Sequence, residues 1–390
     1  MPTAYRTPGV YREEVFLQPQ SQLPTGVPGF VGFAEAIAPL DAAQRLIVLN
    51  RKQDFAAQLR SPDWSYLADA VSGFFENGGT RCYVVRLAPV NTAEERGTVL
   101  QTADLLKPLE PLTDLDLVAI PDAMTLFPDA NAMLQVQRAM LQHCGQLGNR
   151  MAILDAIPAL LDGQPQPTPE SVRSQRDQLA VGQQEPLNGA LYYPWIKTLS
   201  SRIVPPCGHV AGVIARSDRT RGVFKAPANE ELMDVLDLVG AIDHSTQNQL
   251  NPEGINCLRS FPGRGIRVWG ARTLSRDLNW RYINVRRLVL TLGRWIDRNL
   301  LWATFEPNSP RLWVRIQREL STYLEGLWRI GALQGQVPEQ AFYVKCDAET
   351  NPPESRETGT VITEIGLAAG VPTEFLVIRI THRVGTVEVT

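Results

Sequence analysis

Two stretches of this sequence carry residue types that could do chemistry. Residues 254–274, GINCLRSFPGRGIRVWGARTL, combine four glycines and four arginines with no acidic residue. Such a segment could form a loop that holds a phosphate group, yet the P-loop pattern G-x-x-x-x-G-K-[ST] occurs nowhere in the chain. The glycines equally suit a strand that runs close to another backbone, with Ile266 and Val268 facing a core and Arg267 facing out. We expect this second, structural role.

The segment CGHVAG at 207–212 is the other stretch, because H-V-A-G also occurs on the helix that carries the catalytic histidine of subtilases. A serine-protease triad further needs an upstream aspartate and a serine in a tight glycine turn. No G-T-S-x-[SA] pattern follows His209. Asp243, His244 and Ser245 are adjacent in sequence, so their side chains point in different directions. A subtilase-like hydrolase therefore stays only as an alternative, and we expect the protein not to be an enzyme.

Metal and cofactor sites are not indicated. The four histidines are isolated, no histidine–carboxylate spacing supports a metal site, and no C-x-x-C pair is present. Five scattered cysteines suggest reduced thiols in a cytoplasmic setting. We expect neither a metal nor a cofactor.

Composition limits the partners. The 390 residues carry a formal net charge of −3, so overall charge predicts neither a nucleic acid nor a membrane surface as partner. No apolar run approaches the roughly 20 residues of a membrane span, and the N-terminus shows no apolar signal-peptide region. We expect a soluble intracellular product, in which any important charge is local.

One basic segment is such a local feature. In RYINVRRLVLTLGRWIDRNL (281–300) the apolar residues fall on one side of a helix, while Arg287, Arg294 and Arg298 align on the opposite side. These arginines could form a solvated face or a docking face for an acidic partner. Both interpretations remain open from the residues alone.

The elements that must position these residues alternate between strand and helix over the first half of the chain. The pattern predicts a largely parallel sheet covered by helices on both faces. One helix is expected to start with Ser61 as N-cap and Pro62 at its first position, and another to be capped by Thr168. The predicted strands are 45–50, 81–87, 115–122, 150–157 and 190–196.

The pattern changes after about residue 258. A basic strand, two long helices near 278–300 and 310–330, and several strands predict a second domain of α+β type. Residues 9–16, GVYREEVF, and the last residues, RVGTVEVT, are alternating strands with no predicted neighbour. A lone strand is not stable by itself, so both ends of the chain are expected to need a sheet to join.

Ten segments together resemble contractile tail sheath proteins, the family of phage tails, R-type pyocins and extracellular contractile injection systems. They occur in order from residue 7 to about 347 and cover nearly the whole chain. The segments are TPGVYREEV, VPGFVGFAEA, FFENGGTRCYVVRL, ALYYPWI, PPCGHVAGVIARSDRTRGVFKAPAN, LNPEGINCLRSFPGRGIRVWGARTL, WRYINVRRL, FEPNSPRLW, GALQG and AFYVKCD.

The resemblance implies a fold and a domain plan. The family's main domain is subtilisin-like in fold but lacks a protease's catalytic residues, which would explain H-V-A-G. The expected plan is an N-terminal arm (1–20), a subtilisin-like α/β domain (21–258), a smaller C-terminal α+β assembly domain (259–372), and a C-terminal strand and arm (373–390). Between residues 89 and 190, beyond a modest Gln/Pro-rich insertion, we expect no room for the extra outward-facing domains of many phage sheaths.

The resemblance also implies a function. Sheath subunits form six-membered rings that stack helically around an inner tube and contract to drive the tube through a target envelope. The expected partners are further copies of the chain, the inner tube protein, and baseplate and terminator or cap proteins. Assembly would take place in the bacterial cytoplasm. The protein would be a component of a phage tail or tail-like particle. A low-copy sheath paralogue at the baseplate or cap end is the alternative within the family.

Residues follow from these implications. Family members link neighbours by exchanging terminal strand arms, and a helix of their C-terminal domain attaches the sheath to the tube. The tube-facing candidates are Arg287, Arg294 and Arg298. The assembly-surface candidates are Arg259, Arg264, Arg267 and Arg272, and the arm candidates are Val10, Tyr11, Arg12, Val15, Val384, Val387 and Val389.

Overall fold

The structure is a computed structural model that describes residues 23–37, 41, 44–161, 164–182, 185, 187–370, 376–383 and 386–389. The N-terminal arm candidates Val10, Tyr11, Arg12 and Val15 lie outside the described residues, as does Val384.

The described residues form twenty strands and eleven α-helices. The strands are β1 (Pro28–Phe33), β2 (Glu35–Ala36), β3 (Leu46–Leu49), β4 (Leu59–Arg60), β5 (Cys82–Leu87), β6 (Leu117–Ala119), β7 (Met151–Asp155), β8 (Ala159–Leu161), β9 (Gln164–Gln166), β10 (Gly189–Tyr193), β11 (Ile196–Thr198), β12 (Ile203–Val204), β13 (Glu230–Glu231), β14 (Val235–Leu238), β15 (Ile255–Phe261), β16 (Gly265–Trp269), β17 (Phe342–Lys345), β18 (Val361–Leu367), β19 (Leu376–Arg383) and β20 (Thr386–Val389). The helices are α1 (Lys52–Gln58), α2 (Leu67–Glu76), α3 (Ala93–Leu100), α4 (Ala130–Leu147), α5 (Pro169–Ala180), α6 (Cys207–Arg221), α7 (His244–Leu250), α8 (Ile283–Asn299), α9 (Pro310–Arg329), α10 (Pro338–Ala341) and α11 (Pro353–Glu357).

A nine-stranded sheet organises the first part of the chain, in the order β13-β16-β15-β10-β7-β6-β1-β5-β3. Its six central strands, from β15 to β5, pair in parallel, and antiparallel pairs occur only towards its two edges. The predicted parallel-dominated sheet is therefore confirmed. Its central strands are mostly apolar and buried because helices cover both faces.

The two faces build two cores. On β1, Phe30 belongs to the core that includes residues of α2 and α6, whereas its neighbour Val31 belongs to the core that includes residues of α4 and α5, on the opposite face. Strand geometry requires this, since successive side chains point to opposite sides of a sheet. The buried helix α6 lies directly against the sheet.

The C-terminal part has its own core around α8 and α9. Trp295 of α8 stacks on Tyr323 of α9, with ring centroids 4.1 Å apart and ring planes 13° from parallel. A four-stranded antiparallel sheet is ordered β17-β18-β19-β20, and buried residues of β17 and β18 belong to the same core as this helix pair. The two long helices and the following strands match the predicted α+β arrangement.

Two helix starts test the capping predictions. Thr168 caps α5 as expected, accepting a hydrogen bond from the Ser171 backbone N–H. The predicted start at Ser61 is wrong, because α2 begins only at Leu67. Buried Asp122 accepts hydrogen bonds from the Tyr66 N–H and the Ser65 hydroxyl, which holds the preceding residues in a turn.

The predicted domain boundary at residue 258 falls inside a strand. β15 pairs with β10, and β16 continues the same sheet, so residues up to Trp269 belong to the large sheet. At the other end, β19 pairs with β18 along seven residues. The segment after residue 372 thus contributes two strands to the C-terminal sheet.

Candidate assembly surfaces and a buried arginine cluster

The arginines predicted to face a tube lie mostly inside the protein. The side chains of Arg287 and Arg294 are each 2% exposed, so the prediction that they form an outward-facing stripe is wrong. α8 is buried on every side from Ile283 to Ile296, between the large sheet domain and the C-terminal core. Arg298, at the end of the helix, is exposed and stays a candidate for an outside contact.

Arg287 is neutralised within the chain. Its two Nη atoms donate to both carboxylate oxygens of Asp218 on α6, at 2.7 and 2.6 Å, and Nη2 also donates to Asp116, at 2.7 Å. Arg294 lies beside the same carboxylate, with Nη2 3.8 Å from Asp116 Oδ2. Burial favours a lower pKa for Arg287, but Asp218 and Asp116 more than offset this and raise it. The guanidinium therefore stays charged and joins α8 to the sheet domain.

Asp116 links this cluster to the start of the described chain. Its carboxylate accepts hydrogen bonds from the backbone N–H groups of Gly26 and Val27, at 3.0 and 2.7 Å. Neither Asp116 nor Asp218 was a sequence candidate. For Asp116 the available signal was an acidic residue between apolar neighbours, in LDLV. Asp218 lies near the end of α6 in the polar segment RSDRTR, which gave no such signal.

A third arginine of α8 is also an internal contact. Arg286 Nε donates to Asn188 Oδ1 at 2.6 Å, and its guanidinium lies 4.4 Å from the centre of the Trp280 ring. Burial lowers the pKa of Arg286 to about 10. These contacts reinforce the attachment of α8 at the amino-terminal end of β10.

The glycine- and arginine-rich segment forms the β15–β16 hairpin. Ile266 and Val268 are buried and Arg267 is partly exposed, as predicted. Gly263 and Gly265 both have φ of +71°, the left-handed conformation that glycine adopts without steric cost. The segment is thus a β-hairpin with a tight turn, and β13 pairs on its outer side at the edge of the large sheet.

Its four candidate arginines differ in their surroundings. Arg264 is exposed and donates to the Asn229 side chain at 3.0 Å, while Arg267 donates to the Asn229 carbonyl at 2.8 Å. Arg259 lies over the Phe261 ring, at 5.3 Å. Arg272 donates to the Pro252 carbonyl at 3.3 Å. All four lie on one hairpin or just after it. An assembly role for them stays a prediction.

His209 is placed where it cannot act as a catalytic base. It is 1% exposed, its ring packs against Gly73 of α2, and neither ring nitrogen has a hydrogen-bond partner among the described residues. Burial lowers the pKa of His209 to about 4. Asp243 instead caps α7 by accepting from the Thr246 N–H at 2.7 Å. The geometry gives the hydrolase alternative no support.

Exposed apolar side chains occur in the segment after α8 and on α9. Leu301, Phe305 and Val314 are 72%, 87% and 65% exposed. Phe305 has φ of +71°, a left-handed conformation that is uncommon for a bulky residue. In the same part of the chain, the Arg315 guanidinium of α9 lies 3.4 Å from the centre of the Trp302 ring. A strained, solvent-facing aromatic residue is typical of a contact surface.

The C-terminal sheet supplies two outer strands. β20 pairs only with β19 in the described chain, with Val387 opposite His382 and Val389 opposite Ile380. β17 forms the other edge, pairing only with β18 among the described strands. Each outer strand therefore has one side on which a further strand could add.

Other kinds of site find no support in the described residues. They contain no group of three or more histidine, cysteine, aspartate or glutamate side chains that could hold a metal ion. Within the same part of the chain, no helix is both long and apolar enough to cross a membrane.

Family models match the second half of the chain. Residues 173–274 match the phage tail sheath protein central domain, and residues 275–383 match the phage tail sheath C-terminal domain. The junction at 274/275 follows the hairpin and precedes α8. It agrees with the end of the large sheet.

Solved structures match along almost the whole chain. The helical sheath of the anti-feeding prophage in its contracted state is 31% identical, with a TM-score of 0.73, covering 96% of this chain and 98% of that one. A chain of the six-fold symmetrised anti-feeding prophage baseplate is 30% identical, with a TM-score of 0.72 and the same coverage of both chains.

A curated relative matches over a shorter region. The tail sheath protein of Enterobacteria phage T4 is 27% identical over 157 residues, which is 39% of this chain and 23% of the T4 protein. The match thus spans about a quarter of that longer relative. These relatives are structural sheath proteins and not enzymes. With a parallel-dominated sheet domain, a C-terminal α+β domain and two sheath-domain matches in sequence, the chain belongs to the contractile tail sheath family.

Proposed function

We propose that this protein is the subunit of a contractile sheath, which polymerises as stacked six-membered rings around an inner tube and contracts to drive the tube through a target envelope. The observation that carries the proposal is the match, over 96% of the chain, to a helical sheath solved in its contracted state. A heterologous contact that repeats without closing builds such a helical assembly. Assembly would take place in the bacterial cytoplasm, with baseplate and cap proteins at the two ends.

Exchanged terminal arms would connect the copies. The supporting observation is the C-terminal sheet, whose outer strands β17 and β20 each have a side with no described partner strand. The sequence of residues 9–16 has the alternation of a strand that could add to such an edge. In this proposal Val10, Tyr11, Arg12 and Val15 belong to the N-terminal arm, and Val384, Val387 and Val389 to the C-terminal arm.

Deletion of residues 1–16 tests the arms and the assembly together. The truncated chain should fold, because its described cores begin later, but it should form no long sheaths on electron-microscope grids. The full chain serves as the control and should form sheaths when expressed with its tube protein. Unimpaired sheaths from the truncated chain would rule out the N-terminal arm, whereas failure of the full chain under every condition would count against the sheath function itself.

Contact with the tube is proposed at Arg298, the exposed member of the original three arginines. Arg298→Glu should weaken tube-templated assembly more at low salt than at high salt, because exposed charges are screened by ions. Arg298→Lys keeps the charge and serves as the control. Equal assembly of the two variants at low salt would exclude this contact.

Contraction would need no nucleotide if the extended lattice is a kinetic trap whose energy is stored during assembly. Release of a few kcal/mol per subunit would suffice when many copies act together.

The match to a baseplate chain favours one second candidate, a sheath paralogue present in few copies at the baseplate end. Counting copies per purified particle separates the two. A main sheath protein should be among the most abundant chains, whereas a terminal paralogue should be present in about one ring.

A further inference from the structure

Residues 25–27, near the start of the described chain, are held by several independent contacts. Asp116 accepts the Gly26 and Val27 N–H groups, and the side chain of Thr25 hydrogen-bonds to Asp218. Arg287 bonds to both carboxylates. Residues 25–27, α6, the start of β6 and α8 therefore meet within one set of charged hydrogen bonds.

Close packing also restricts which residue can occupy position 26. Gly26 has φ of +69°, and a Cβ atom added there would lie 2.5 Å from the Ala215 Cα on α6. No other residue could occupy this position without displacing the backbone. Residues 25–27 are thus fixed both by bonds and by steric contact.

We propose that Asp116, held in place by Arg287, is a positioning residue for the N-terminal arm: it fixes where and in which direction the chain leaves the folded body. This inference rests on the proposed arm exchange. Since the same carboxylate binds α8 through Arg287, it ties the root of the arm to both domains. When the neighbouring subunit that holds the arm is displaced, it pulls on residues 25–27. Because these residues are fixed to both domains, the force reaches the junction between the domains.

The chain offers a matched control for this proposal. Asp116 precedes β6 and Asp122 follows it, and both buried carboxylates accept backbone N–H groups next to β1. Asp122 accepts the Phe33 N–H at 2.7 Å, at the opposite end of β1 from residues 25–27. A purely structural role would be shared by the two residues, whereas an arm-positioning role would belong to Asp116 alone.

The experiment compares Asp116→Asn with Asp122→Asn in the full chain. Arg287 keeps its bidentate bond to Asp218 in the first variant, so folding is expected, with a lower Tm in both. Asp116→Asn should raise the protein concentration needed for sheath formation at least tenfold and speed hydrogen exchange at Gly26 and Val27. Asp122→Asn should assemble like wild type.

Two results would overturn the inference. One is assembly loss in both variants in proportion to their loss of Tm, and the other is normal assembly of Asp116→Asn despite faster exchange at Gly26 and Val27. If either variant does not fold, Gly26→Ala replaces Asp116→Asn, because it displaces the same root without altering a charge. Absence of sheaths from the wild-type chain would instead reject the proposed function.

Discussion

Arg287 and Asp218 form a bidentate salt bridge, with Nη–Oδ distances of 2.6 and 2.7 Å between side chains that are each 2% exposed. Removal of one partner of such a buried pair leaves an uncompensated charge in the interior. Arg287→Leu should therefore lower the free energy of unfolding by about 3–5 kcal/mol. Arg298→Leu, on the exposed end of the same helix, should change it by no more than about 1 kcal/mol, because contacts of exposed charges contribute little. Denaturant unfolding measures both, and equal losses would show that Arg287 is not an internal tie.

Protonation of Asp155 should contribute to the pH dependence of the free energy of unfolding. Burial raises the pKa of this carboxyl to about 7, although its carboxylate accepts the Cys207 N–H at 2.9 Å. The folded protein therefore holds this proton more tightly than the unfolded chain, so the contribution of Asp155 to stability is full below about pH 4 and is lost as the pH rises towards 7. Asp155→Asn keeps the hydrogen-bond acceptor and should remove this part of the slope.

Urea unfolding of wild type and Asp155→Asn at several pH values between 4 and 8 checks this expectation. As the pH rises, the free energy of unfolding of the variant should increase relative to that of wild type. A difference that stays constant over this range would mean that the Asp155 carboxyl is not protonated in the folded protein.

Phe305 should matter more for assembly than for folding. Asn tolerates the left-handed conformation better than Phe, and relief of this strain is worth on the order of 1 kcal/mol. Phe305→Asn should thus leave the subunit as stable as wild type or slightly more so, while sheath formation weakens through loss of an exposed apolar contact. Phe305→Tyr keeps the ring and should assemble normally. Normal sheaths from Phe305→Asn would remove this residue from the assembly surface.

The cysteines should be unreactive in the folded subunit. All five are buried, and burial raises the pKa of Cys144 and Cys257 to about 12. Because the thiolate is the reactive form, a thiol reagent at neutral pH should label no cysteine quickly in native protein and all five in denaturant. Fast labelling of the native protein would show that one core opens readily.

The sequence predicted the parts of the fold that depend on local pattern. Continuous apolar strands separated by amphipathic helices indicated the parallel sheet, and Thr168 indicated the start of α5. The start of α2 could not be predicted in this way, since Asp122, more than fifty residues away in sequence, supplies the bonds that hold its approach.

The arginines of α8 show the same limit at the candidate site. An arginine opposite an apolar stripe is predicted to face solvent, because the pattern of one helix separates an apolar from a polar face. The pattern does not show what packs on the polar face. The carboxylates that bury Arg287 come from 69 and 171 residues away in sequence. Only Arg298, beyond the region where α8 is enclosed, is exposed as predicted.

The carboxylates at the two ends of β6 also determine how β1 can pair. Asp116 binds the N–H groups just before β1, and Asp122 binds one at its end, so the two sites are separated by a fixed number of residues. A shift of β1 by one residue would break both sets of bonds and turn its side chains to the wrong faces. The strand that follows the arm therefore has a single permitted register, and a pull on the arm cannot be relieved by sliding β1 along its neighbours.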